Sequence, residues 1–448
     1  MRKLTILLTL LTLSAGLWAQ ETQRVSYLYP VYNTTDDPKS GIKEWKTDTV
    51  EATKIWFGTT TLNAGWYFVL SGATTNLGGA LTCNGEVHLI LTDGATLKVS
   101  GTKAPGIQVS GDGNSLTVYC QAGKQEGKLV AYGEQEYAGI GGGKEQSGSN
   151  ITINGGIVTA SCEQYSNTGT GAGIGGGENG SGSNITINGG TITANGGQEG
   201  AGIGGGKGGS GSNITINGGT ITANGRRYGA GIGGGKNGSG SEITINGGTI
   251  TANGGEFGAG IGGGQYGSGF NITINGDTVT ASGGQYCAGI GGGERGYGSD
   301  ITINGGTVTA NGGESGAGIG GGQHGSGSDI TINYGTVAAN GGEGSAGIGG
   351  GEYGDAGENI TLAVSCLVKA GGSENPTTII EIDGGDIASI LAGKRYVTVK
   401  PHPAYARGIE EGKAEALGEM AEPCSDCPSI EVTKGTKTVK LYNPESVK

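Results

Sequence analysis

Histidine occurs three times in 448 residues, and Asp, Glu, Lys and Arg together supply 15% of the chain. The usual material of a catalytic or metal site is therefore thin. No zinc spacing, phosphate-binding glycine loop or Ser-His-Asp arrangement can be assembled, and His88, Asp93 and His324 stand in ordinary contexts. Glycoside hydrolysis needs two facing carboxylates, and the repeats described below hold no aspartate cluster. After residue 20 no apolar run reaches the ~20 residues of a membrane span, and no C-terminal sorting tail is present. Basic residues number 27 against 39 acidic, a net charge of −12, so the surface repels nucleic acid and other polyanions unless a cation bridges them. The expectation is a chain with no catalytic residues, no metal, no cofactor, no nucleic-acid partner and no membrane span.

Glycine, in contrast, supplies 103 residues, without the strict third-position period of collagen. It is concentrated in a repeat whose clearest copies span residues 258–311, GAGIGGGQYGSGFNITINGDTVTASGGQYCAGIGGGERGYGSDITINGGTVTAN. The isoleucine of GIGGG recurs at Ile140, Ile174, Ile203, Ile232, Ile261, Ile290, Ile319 and Ile348, so that after one step of 34 every spacing is 29. Alternation of branched apolar residues with threonine marks half-buried strands. In one copy these are residues 259–262, 272–275 and 278–281, with Ala259, Ile261, Ile272, Ile274 and Val279 facing inward. Five side chains do not close a core, so coils must stack, with backbone hydrogen bonds between them at ~4.8 Å. Three short strands per 29-residue coil and no helical periodicity predict an all-β parallel β-helix solenoid. A propeller blade needs about 40–50 residues and its own Trp-Asp signature. The nine-residue calcium repeat fails as well, because the place of Asp300 is taken by Asn184, Asn213, Glu242 and Asn271 in other copies.

Around this block the chain divides into further segments. Residues 1–20, with Arg2 and Lys3, an apolar run and Ala19 for cleavage, read as a signal peptide. The mature protein is expected outside the cytoplasm: extracellular, on the cell surface or in the periplasm. Residues 21–64 read as an N-terminal lead-in or cap, and 65–136 as coils without the glycine repeat, at 80–83, 87–91 and 95–99, then 106–109, 115–119 and 128–131. With the glycine-rich repeats of 137–372 these make about ten coils, a rod ~50 Å long. A C-terminal cap follows at 373–403, with strands at 378–382 and 396–399. Residues 404–448 read as an acidic linker or helix and a small hairpin at 429–442, a tail that could dock a protein partner. Seven cysteines, Cys83, Cys120, Cys162, Cys287, Cys366, Cys424 and Cys427, cannot all pair internally. Cys424 and Cys427 are expected to form a local disulfide.

The GAGIGGG…GSDITINGGTVTA repeat, preceded by residues 65–67, 87–97 and 114–119, resembles the secreted right-handed β-helix repeat proteins of bacteria, which share the pectin-lyase-like architecture. The likeness spans roughly residues 60–372. It implies a right-handed helix and a carbohydrate-binding or adhesin-like surface role, while lyases and hydrolases also occur on the wider fold. Fold alone does not give activity.

Within the repeat, one asparagine column (Asn154, Asn188, Asn217, Asn246, Asn275, Asn304, Asn333) and another (Asn195, Asn224, Asn253, Asn311, Asn340) are expected to stack structurally. Threonine pairs from Thr191/Thr193 to Thr307/Thr309 predict a flat outward array resembling that of ice-binding β-helices, or simply exposed strand. The outward positions of AGIGGG are glycines, which predicts a trough with a bare backbone floor open to a ligand or another chain. Its rims are the variable positions four before the isoleucine, including Glu199, Tyr228, Phe257 and Tyr286, and five after it, including Asn237, Tyr266, Arg295, His324 and Tyr353. Tyr228, Phe257 and Tyr286 fall in three consecutive coils and predict an aromatic strip against which sugar rings pack. The reading is an exported binding or adhesion rod that holds a polysaccharide or surface glycan. A structural spacer or protein-docking scaffold, a polysaccharide lyase or hydrolase, and an ice-binding protein are the alternatives.

Overall fold

A computed structural model describes residues 21–32, 42–123, 126–163, 168–362, 366–371, 379–382, 385–386, 396–401, 429–434 and 437–442. The expected signal peptide, the acidic segment after residue 403 and the Cys424–Cys427 pair lie outside the described residues. Among those described, all regular structure is strand.

The molecule is a parallel β-solenoid of about ten coils, three strands to a coil. In the coil of Ile261 these are a two-residue strand at Ile261–Gly262, a six-residue strand at Gly269–Ile274 and a five-residue strand at Thr278–Ser282. Each pairs in parallel with its copy one coil on, Ile261 with Ile290, Ile272 with Ile301 and Val279 with Val308. The register equals the sequence period, so like stacks on like. The core is one continuous column of Ile, Val, Leu and Ala along the rod. Ala259, Ile261, Ile272, Ile274 and Val279 are fully buried, and Ala281 joins them.

At the corners, asparagines form amide ladders. Asn188 donates to Asn154 at 2.7 Å, and the chain of bonds continues through Asn217, Asn246, Asn275 and Asn304 to Asn333. The second column is bonded from Asn195 to Asn253 and from Asn311 to Asn340, with Ser282 breaking it between. Each amide inside a run donates to one neighbour and accepts from the other, as a half-buried polar column requires.

The ends differ from the middle. Strands β1 (Thr22–Tyr32) and β2 (Ile42–Lys54) form a long antiparallel hairpin. It lies on the outside of the early coils, where Tyr27 meets Trp66 and Tyr119 at ring distances of 4.6 and 4.9 Å. Trp66 stacks on His88 at 4.2 Å, so this histidine is part of an aromatic cluster, and burial lowers its pKa. Ile55 and Leu62, after the hairpin, enter the main core. A further coil, with strands Thr61–Val69 and Thr74–Leu77, precedes the two read from the sequence. At the other end the last repeat is incomplete. Next to Thr336–Asn340 the third-strand place is filled by Tyr396–Pro401, running antiparallel, and Cys366–Gly371 pairs with that strand instead. Reversing direction stops the parallel stack, while Val397 and Val399 complete the core. The hairpin of the tail is present as Ser429–Lys434 and Lys437–Tyr442.

Candidate functional site

The open glycine trough is not what forms. The glycines from Gly258 to Gly264 are buried, and so are their equivalents in the other repeats. A Cβ added to Gly260 would meet the backbone of Gly289 and Ser282 at 2.6 Å, and one on Gly262, at φ +133°, would strike the carbonyl of Gly291. Two loops fold over the short strand and close it. The loop before each isoleucine and the turn after it are tied by a backbone bond from the residue four past one isoleucine to the residue four before the previous one. Gln265 N donates to Tyr228 O at 2.8 Å, Gln323 N to Tyr286 O at 2.8 Å and Glu352 N to Ser315 O at 3.1 Å. The glycines are needed because the chain's own backbone occupies the face, so no floor remains for a ligand.

That closure brings the two expected rims side by side. The first contains the aromatic column: Tyr228 and Phe257 stack at 5.3 Å with planes 14° apart, and Phe257 and Tyr286 at 5.3 Å and 15°. At this separation near-parallel rings are offset. All three are half-buried. The column begins under charge, with Lys236 Nζ 4.4 Å from the Tyr228 ring and the Arg227 guanidinium 5.1 Å from it. Beyond Tyr286 the column continues as Ser315 and Gly344, so the rings stop at a step.

Glu199 belongs to the charged end. It bonds Lys236 at 2.7 Å and Lys207 at 3.0 Å. Burial pushes its carboxyl upward, yet the two ammonium groups hold it below the usual carboxylate range. Its partners are internal, which separates it from the aromatic members of the predicted set.

The second rim is a column of left-handed residues. Glu145, Asn179, Gly208, Asn237, Tyr266, Arg295, His324 and Tyr353 all have positive φ, from 57° at Asn179 to 72° at Gly208. Glycine and asparagine adopt this region readily, whereas Tyr, Arg and His do so at a cost of roughly 1–2 kcal/mol each. All eight are exposed, Tyr266 at 52% and Tyr353 at 72%. Arg295 stands 5.9 Å over the Tyr266 ring, and His324 stacks on Tyr353 at 5.0 Å. Between the rims Gln265 donates to Glu294 at 2.7 Å and Gln323 to Glu352 at 3.2 Å. Hydrogen bonds from Ser315 and Tyr353 hold the Glu352 carboxyl below its ordinary pKa, and that bond raises the Tyr353 phenol.

Two features lie outside the set expected from the sequence. Tyr297, 57% exposed, interrupts a serine column two places beyond this turn and adds an aromatic to the same edge. Its signal was present as Gly-Tyr-Gly where other copies read Gly-Ser-Gly. The other is a polar notch over the early coils, described below. Cys83, Cys120, Cys162 and Cys287 are buried free thiols. Burial pushes Cys83 and Cys162 up to about 12, which makes them unreactive. Among the described residues no three His, Cys, Asp or Glu side chains gather as metal ligands do.

Seven stretches, residues 151–178, 185–207, 214–236, 243–265, 272–294, 301–323 and 330–352, match the family model described as beta helix repeat. No curated protein and no solved structure matches the chain.

Proposed function

We propose, from the premise that this chain is a β-helix repeat protein, that it is an exported, non-catalytic binding rod that holds a glycan across the C-terminal half of its two-column face. The observation that carries this is the left-handed column. The backbone there asks for glycine or asparagine, and Gly208 and Asn237 supply them, yet the next four coils place Tyr266, Arg295, His324 and Tyr353 in the same strained conformation. Strain retained in exposed side chains that pack into no core points to a use other than folding. Tyrosine rings and an arginine on one strip suit sugars, whose apolar C–H faces pack on aromatic planes while hydroxyls find Arg, Gln and Glu. Tyr286, at the end of the aromatic column, borders this strip.

The test is affinity electrophoresis of the purified full chain against neutral and acidic polysaccharides, beside a variant carrying Tyr266→Gly, Arg295→Gly, His324→Gly and Tyr353→Gly. Since Gly208 already occupies this position, the variant should fold and melt no lower than the parent. Retardation by a glycan that the variant loses supports the reading. Equal retardation of both proteins, or none by any glycan tested, overturns it.

A further inference from the structure

An open recess does exist on the first-strand face, but over the early coils instead of the glycine repeats. Following the ladder of outward positions, Thr61 pairs with Thr82, Thr82 with Gln108 and Gln108 with Gly141, after which every member is glycine. The coil of Thr82 has no turn to fold over this position, because Leu81–Leu91 runs as one strand through the Asn84-Gly85 corner. The next coil does make a loop, at 109–114, with Gly111 and Gly113 at φ +89° and +78°. The first repeat then adds its own turn at 142–147. The outline of the rod therefore steps outward, and the step leaves a cavity of about 660 Å³, within the range of small-molecule sites.

Its chemistry is uniform. Gln108 Nε2 donates to Ser110 Oγ and to Gln146 Oε1, both at 3.1 Å, tying two coils across the recess. Asn114 is fixed on both sides, accepting from Gly85 N at 2.7 Å and donating to Ser110 O at 2.7 Å. Asn84 donates to Asn63 at 2.9 Å. The amides are thus held in place before any ligand arrives, which lowers the cost of binding. No Lys, Arg or His lines the cavity, and its single carboxylate, Asp112, is at the exposed loop tip. No aromatic ring lines it. Anions meet no cation there, and flat apolar ligands meet no platform.

We infer that this notch is a second binding site, for a neutral sugar of one or two rings recognised through its hydroxyls by side-chain amides and hydroxyl groups. It shares no residue with the two-column face and stands or falls separately from it.

The test uses saturation-transfer NMR on the full chain with glucose, galactose, mannose, N-acetylglucosamine, maltose and cellobiose, and with glucuronate as the charged counterpart. Ser149 lines the notch, and its ladder position is occupied by Phe270 four coils on. Ser149→Phe therefore plugs the recess with a residue the coil is known to accept. At least one neutral sugar is expected to bind, at least tenfold more tightly than glucuronate, and to lose at least tenfold in affinity in Ser149→Phe. Gln108→Ala, which removes an amide without adding bulk, should weaken it in the same direction and serves if the plugged variant misfolds. Polysaccharide retardation by the repeat face should be unchanged in both. No binding by any of the neutral sugars, equal binding of glucuronate, or binding indifferent to both substitutions would overturn the inference.

Discussion

Early coils and glycine repeats share one core and one ladder, yet their first-strand faces are opposite in kind. Thr61, Thr82 and Gln108 carry side chains outward into a recess, while Gly141 and its successors are buried beneath their own turns. Glycine at an outward position would ordinarily read as surface left bare. Here it is surface already taken, because backbone of the next coil, at Gly289 and Gly291, and of Ser282 stands where a Cβ would be, and the flanking loops bond to each other beside it. What the repeats gain is a raised face on which the variable residues sit, and what the early coils keep is a cavity.

The strongest way to break the comparison is to add a methyl group. Gly262→Ala forces a Cβ onto the Gly291 carbonyl at a φ of +133° and should cost more than about 3 kcal/mol, the sum of strain and displaced backbone. Gln108→Ala, at the same ladder position in an early coil, loses two hydrogen bonds but meets no backbone, and should cost about 1–2 kcal/mol. Thermal or urea melting of the two variants checks the contrast, and equal losses would refute the closed-face account. Core truncation should erase the contrast. Ile261→Ala and Ile107→Ala remove equivalent, fully buried side chains, and each should lower stability by about 2–5 kcal/mol.

Smaller effects sharpen it further. Asn246→Ala removes the link between Asn217 and Asn275, for a loss of about 1–3 kcal/mol from the groups left unpaired. Tyr266→Gly should act in the other direction, raising stability by about 1 kcal/mol through relief of the left-handed strain, while weakening glycan retention. The last effect, a decline with rising pH, is absent at neutral pH and is shared by both regions. Buried Cys83 and Cys162 have thiols raised from 9.0 to about 12, so the folded state holds protons that the unfolded state releases. Their contribution is complete below pH 9 and is lost as pH rises from about 9 to about 12. Alkaline melting curves should show this decline, and a Cys83→Ala/Cys162→Ala variant should show less of it.

Much of the architecture could be read from residues alone. Ile261, Ile272, Ile274 and Val279 alternate with polar residues and repeat at 29, and an alternating, repeated pattern has few ways to bury itself other than stacking in register. The asparagine columns were legible for the same reason, since an amide repeated at the coil spacing meets its own copy. The stacked rings of Tyr228, Phe257 and Tyr286 follow from one slot being filled by aromatics in consecutive coils. The glycine face was misread, and the cause is specific. Alternation along a strand says which side chains point out, but not whether another segment lies over them. The bond from Gln265 N to Tyr228 O links residues 37 apart, and nothing local announces it. The missing turn at Asn84-Gly85 was equally silent, because a notch is made by what neighbouring coils do around it.

The sequence by itself determined the period, the three strands of a coil, the core and the ladders, because each is fixed by a residue meeting its own equivalent one register away. Tertiary structure decided what is open and what is covered. It laid the N-terminal hairpin along the outside, turned Tyr396–Pro401 against the direction of the stack, and put Tyr266, Arg295, His324 and Tyr353 into a left-handed conformation. Those outcomes depend on contacts between unlike segments, for which a repeating sequence contains no register.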